Sequence, residues 1–229
     1  MASIAIVGKS GTGKSTSLGQ FPELGLKGLD PKETVIVNVG GKDLPFRGWK
    51  KLYSGKVTEG GNYFENSDAL QIKKLIDYVS TSRVDVKNIV IDDAQYILAF
   101  EFMRRAKEKG YDKYTELGVN MNMILESART CRKDLKVYFL WHPEFDKDNG
   151  YKLKTVGAML DNYVTLEGLF SVVLYTFVTK GEGNKMQYGF VTNNDGTYPS
   201  KSPIGMFKDL YISNDLGLVS ETIDSYNEG

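Results

Sequence analysis

The sequence predicts an α/β protein: a mainly parallel sheet flanked by helices, with an antiparallel extension towards the C-terminus. Three observations carry this. Strand-like and helix-like segments alternate through the first two-thirds of the chain. A glycine-rich turn at residues 8–13 stands between the first strand and the segment after it. The last third reads as adjacent strands with turn residues between them. With 229 residues, one domain over 1–229 is expected.

Residues 3–7 are an apolar strand, and 14–20 read as a short helix. Residues 21–32 are Gly/Pro-rich loop, and TVIVNV at 34–39 is a β-branched strand. Residues 40–67, rich in glycine, aromatics and lysine, read as a long ordered loop with little regular structure. Ser67 and Asp68 open a helix on which Leu70, Ile72, Leu75, Ile76 and Val79 recur at helical spacing. NIVID at 88–92 is a third strand, and 93–109 a helix stopped by Gly110. Leu117, Met121, Ile124, Leu125 and Ala128 mark the face of another helix. KVYFLW at 136–141 is a fourth strand, followed by a polar turn at 146–150. FSVVLYTFV is a strong strand, with 185–192 as its hairpin partner. Residues 215–226 close the chain as a helix with Leu216, Val219 and Ile223 on one face.

Lys+Arg and Asp+Glu are both 29, so the net charge is zero. That argues against a strongly basic nucleic-acid coat, while leaving room for a local basic groove. Cys131 stands alone, so no intrachain disulfide forms, and a reducing compartment fits. No secretory signal and no apolar run of about 20 residues is visible, so a cytoplasmic protein without a membrane partner is expected.

Gly8-Lys9-Ser10-Gly11-Thr12-Gly13-Lys14-Ser15 fits G-x-x-x-x-G-K-[ST] at every fixed position. Such a loop curls so that backbone N–H groups face phosphate oxygens, and its glycines permit the turn. ATP is the expected ligand, held by residues 8–15 and Thr16. Lys14 reaches the β- and γ-phosphates, and the Ser15 hydroxyl is a ligand for Mg²⁺. Asp92 ends an apolar strand, where an acidic residue holds Mg²⁺ through water. Asp93 either polarises water or caps the next helix. Gln95 is either a water-orienting group or a surface side chain. His142, the only histidine, follows KVYFLW. It faces the γ-phosphate as a sensor if its strand lies beside that of Asp92, or else it is a hydrogen-bonded residue at a strand end.

Beyond these motifs, VNVGGKDLPFRGWKK, EFMRRAKEKGYDKYTE, LWHPE, KLKTVGAMLDNYVTLEGLF and SKSPIGMF resemble, as a set, phage nucleotide-binding proteins with a minimal RecA-like P-loop ATPase core. These are phage AAA-type ATPases similar to single-strand annealing recombinases. The resemblance implies a RecA-like P-loop NTPase fold and a homo-oligomeric ATPase in phage recombination or replication. It implies single-stranded DNA and a single-stranded-DNA-binding protein as partners, in the host cytoplasm. RecA-type ATPases place a catalytic glutamate after the second strand; residues 38–43 contain none, leaving Asp43 or Asp93 as substitutes.

Arg104, Arg105, Lys107 and Lys109 fall on one expected helix, and Lys201 lies late in the chain. Each is a candidate to complete a neighbour's ATP site, or an ordinary surface cation. Arg47, Trp49, Lys50, Lys51, Tyr53 and Lys56 interleave basic and aromatic side chains in a pattern that suits single-stranded DNA, as do Lys152 and Lys154 in a second loop. Two further functions remain open: a P-loop small-molecule kinase, disfavoured by the absence of arginine after the fourth strand, and a non-hydrolysing regulatory module.

Overall fold

A computed structural model describes residues 2–110, 112–147, 150–156 and 165–229. The strands are β1 (Ala2–Val7), β2 (Thr34–Asn38), β3 (Tyr63–Glu65), β4 (Asn88–Asp92), β5 (Lys136–Trp141), β6 (Pro143–Asp146), β7 (Gly150–Leu153), β8 (Val172–Lys180), β9 (Met186–Val191) and β10 (Tyr211–Ser213). The helices are α1 (Trp49–Leu52), α2 (Ala69–Ser82), α3 (Gln95–Arg104), α4 (Asp112–Thr130) and α5 (Leu216–Glu228). Eight strands form one sheet in the order β10-β9-β8-β1-β5-β4-β2-β3. From β8 to β3 every pairing is parallel; β9 and β10 add the expected antiparallel extension. β6 and β7 form a separate hairpin.

Side chains alternate across the strands and feed two cores. Ala5, Val7, Val37, Ile91 and Phe139 face a layer built with α2, α3 and α4. Ile4, Ile6, Ile36, Val90 and Leu140 face the other layer, with Leu18, Leu29, Leu44, Tyr53 and the α5 residues Leu216, Val219 and Ile223. Central strands buried on both faces explain the near-continuous apolar runs in the sequence. Among the described residues no helix is long and apolar enough to cross a membrane.

The second layer corrects one expectation. Residues 14–20 do not make an α-helix; they make one 3₁₀ turn, Thr16–Leu18. The space a longer helix would take is filled by the returning chain and α5. Leu29 N–H donates to Leu18 O (3.0 Å). A Cβ on Gly28 would stand 2.3 Å from Gly19 O, and one on Gly217 would stand 2.2 Å from Gly28 O. Asp215 locks this junction. Its carboxylate caps α5 at Gly217 N and accepts from Lys27 N (2.7 Å) and Gly28 N (2.9 Å). Asp215→Ala strands several buried N–H groups at once. It is expected to lower the unfolding free energy by about 2–4 kcal/mol, read as a reduced urea midpoint; an unchanged midpoint would refute the junction's role.

Three further differences have local causes. The 40–67 segment contains α1 and the edge strand β3, which is three residues long and has no periodic apolar signal. The 93–109 helix begins only at Gln95 and ends at Arg104, so Arg105, Lys107 and Lys109 lie beyond it. β10, also three residues long, escaped the sequence pattern. The sequence motif KLKTVGAMLDNYVTLEGLF lies partly outside the described residues, which omit 157–164.

Candidate functional site

The loop after β1 is held from both sides. Gly8 N–H donates to Trp141 O of β5 (3.0 Å). From β8, Thr176 Oγ1 donates to Thr12 Oγ1 (2.7 Å), which donates to Lys9 O (2.7 Å). A Cβ at Gly8 would lie 1.9 Å from Thr176 Oγ1, so only glycine allows this brace. Gly13 has φ +93°, the left-handed region that glycine enters freely. So held, the loop presents the backbone N–H groups of Gly11, Gly13, Lys14 and Ser15 with no hydrogen-bond partner among the described residues. Converging backbone donors make an anion cradle.

Lys14 does not face solvent, as its loop position suggests; it is 6% exposed. Its Nζ donates to Gly8 O (2.7 Å) and Lys9 O (3.1 Å). Burial lowers the ammonium pKa to about 8, against the raising charges of Asp93 and Asp92. A buried cation held only by neutral carbonyls gains strongly from an anion beside it.

Across the cradle, Ser15 Oγ donates to Asp92 Oδ1 (2.7 Å). Asp92 is 1% exposed, and its Oδ2 has no hydrogen-bond partner. Burial and then the charge of Asp93 push its carboxyl pKa up, opposed by the Ser15 bond. A hydroxyl and an orphaned carboxylate oxygen side by side fit a divalent cation. Among the described residues no three His, Cys, Asp or Glu gather for a metal. A hydroxyl and one carboxylate are the small protein donor set that Mg²⁺ takes when water and phosphate complete its shell.

Asp93 is not a helix cap: the N-cap is Ala94. Its φ of +61° turns it off the strand, a conformation Asp tolerates better than most residues. The turn brings its carboxylate to His142 Nε2 (3.3 Å) and to the Lys42 ammonium. Burial pushes its pKa up, but the hydrogen bonds from His142 and Lys42 outweigh this and hold it at about 2. β5 lies between β1 and β4, so His142 leaves the sheet between the phosphate loop and the two aspartates. Gln95 is buried, not a surface residue, and its Oε1 accepts from His142 N (3.2 Å).

On the other side of the loop, towards β9 and β10, a cleft of about 920 Å³ opens. Gly11, Gly13 and Thr16 form its floor; Phe46, Tyr188 and Tyr211 are among its walls. Asn214, 5% exposed, lines it beside Gly13, and its Nδ2 has no partner. Asn214 and Thr176 belong to no sequence motif, Lys42 falls within VNVGGKDLPFRGWKK without being singled out there, and only the tertiary structure brings them to the loop.

Other sequence candidates have partners within their own chain. Arg105 is engaged by Glu101, Glu108 and Glu116 of its own chain, and Arg104 donates to Ser67. Lys201 sits in a β-bridge with Val173. In the 47–56 segment, Tyr53 is buried, Trp49 packs on Tyr63, and Lys50 and Lys56 pair with Asp43 and Glu59. Its aromatics serve the core rather than a free stacking platform. Asp43 is exposed and pairs with Lys50.

Sheet order, glycine-rich loop and strand-end aspartates together define a P-loop nucleoside triphosphatase of RecA-like fold. The family described as AAA domain matches residues 2–147. That is more than half of the 229 residues, and the chain belongs to that family. No curated protein is matched by the chain.

Proposed function

We propose that the protein is a Mg²⁺-dependent ATPase. The observation that carries this is the cradle itself: unpaired N–H donors of Gly11, Gly13, Lys14 and Ser15, with the buried Lys14 side chain and the orphaned oxygen of Asp92. The donors and Lys14 bind the β- and γ-phosphates. Ser15 and Asp92 would hold Mg²⁺, which would neutralise charge on the phosphate oxygens. Asp93, kept ionised by its partners, takes a proton from water as the water oxygen attacks the γ-phosphorus in line. The bond to the β–γ bridging oxygen breaks, and ADP and phosphate leave. His142 orients the Asp93 carboxylate. The nucleoside extends into the cleft on the β9–β10 side, away from the aspartates, where Asn214 offers its free amide.

Binding of ATP and of inorganic tripolyphosphate, measured by calorimetry, separates the two halves of this site. Asn214→Ala is expected to weaken ATP about tenfold and to leave tripolyphosphate unchanged. Equal weakening of both ligands would remove the nucleoside from that cleft.

A further inference from the structure

The chain leaving β2 carries a cation that no motif singles out. Asn38 and Asp92 are register partners on adjacent parallel strands, so residues 39–42 and Asp93 exit the sheet side by side. They touch there: Val39 N–H donates to Asp92 O (3.3 Å), and a Cβ on Gly40 would lie 3.5 Å from Asp93 Oδ2. Gly41, at φ +63°, turns the chain back. Buried Asn38 then pins the turn, its Nδ2 donating to Lys42 O (2.6 Å) and to Tyr63 Oη (2.7 Å). The backbone of Lys42 is thereby fixed, while its side chain stays 54% exposed and reaches Asp93 Oδ2.

Three groups crowd one point. Asp93 receives His142 on one oxygen and Lys42 on the other. Lys42 therefore stands at the Asp93 end of the same strand-end cluster that holds Asp92. Lys42 pairs with the carboxylate that would accept a proton from water. A γ-phosphate arriving on Lys14 brings new negative charge next to Asp93, and only a cation between them makes that arrangement tolerable.

We infer that Lys42 is a cis-acting γ-phosphate ligand, which shifts from Asp93 onto the terminal phosphoryl oxygens when the triphosphate binds and so frees Asp93 to face water. This rests on the phosphate-site reading above. It makes Lys42 a residue that distinguishes triphosphate from diphosphate, a distinction Lys14 cannot make alone because it also serves the β-phosphate. No covalent step involves Lys42; it exchanges one anionic partner for another.

The test compares a non-hydrolysable ATP analogue with ADP, both with Mg²⁺, on the full chain by calorimetry. Lys42→Met is expected to weaken the analogue about tenfold while ADP stays within about twofold. Turnover should fall about 10²-fold, with Lys42→Arg recovering part of the analogue preference. The half-exposed position keeps these variants folded, which an unchanged urea midpoint verifies. Equal effects on both nucleotides, or none, would overturn the assignment and leave Lys42 as a surface partner of Asp93. Lys14→Met separates the two readings: it should weaken both nucleotides, and if it weakens neither, the phosphate site itself is wrong.

Discussion

Lys14→Met is expected to lower ATP turnover by about 10³-fold or more and to weaken ATP and tripolyphosphate together. Methionine keeps the length and the apolar stem but deletes the charge. In the parent the ammonium is buried and satisfied only by Gly8 O and Lys9 O. Its loss therefore removes a desolvation cost from the folded state, and the urea midpoint should hold or rise. The same burial sets a pH signature. Lys14 is protonated below its lowered pKa of about 8. The nucleotide-free protein loses the cation as pH rises through that value, so triphosphate affinity is level at lower pH and falls above it. Titration calorimetry across this range should show that fall in the parent and not in Lys14→Met. Matching pH profiles in the two proteins would exclude Lys14 as the phosphate ligand.

Asp93→Asn is expected to cut turnover about 10³-fold while ATP binds as tightly as in the parent, or more tightly. The amide cannot take the proton of water, yet it removes a negative charge from beside the γ-phosphate. Asparagine tolerates φ +61° as well as aspartate does, so the backbone has no cause to move. Loss of ATP binding in this variant would show that Asp93 holds the site together instead of activating water. The pairing has its own acid limit. With the carboxyl held at about 2 against an ordinary 3.8, its contribution to stability is complete above the ordinary value. That contribution disappears as pH falls through the depressed one, and Asp93→Asn should lack this part of the acid transition.

Much of this was legible in the sequence because long apolar strands and a fixed-spacing loop are strong local signals. β1, β4 and β5, with Asp92 and His142 at their ends, were placed correctly from NIVID and KVYFLW. The condition on which His142 would face the γ-phosphate, a strand beside that of Asp92, is met in the β4–β5 pairing. The helix expected after the loop was not there, because its extent depends on α5, about 200 residues away, filling the same volume. The burial of Lys14 is not legible in its loop motif, which carries no information about what closes over it. Lys42 and Asn214 were invisible for a related reason. One acts through strand register and the other through the return of the chain to β10, and neither leaves a trace in spacing.

The placement of β8 has a consequence for how the family match is understood. Residues 2–147 include the loop and both aspartates, yet β1 has two neighbours, β5 within that span and β8 outside it. Cut away the later residues and β1 becomes an edge strand, its outer N–H and C=O groups bare and its loop without the Thr176 strut. The phosphate-loop segment is thus a guest in a sheet that the C-terminal third completes. The hydrogen bond from Thr176 to Thr12 ties that loop to β8 and, through the β8–β9 pairing, to the antiparallel extension.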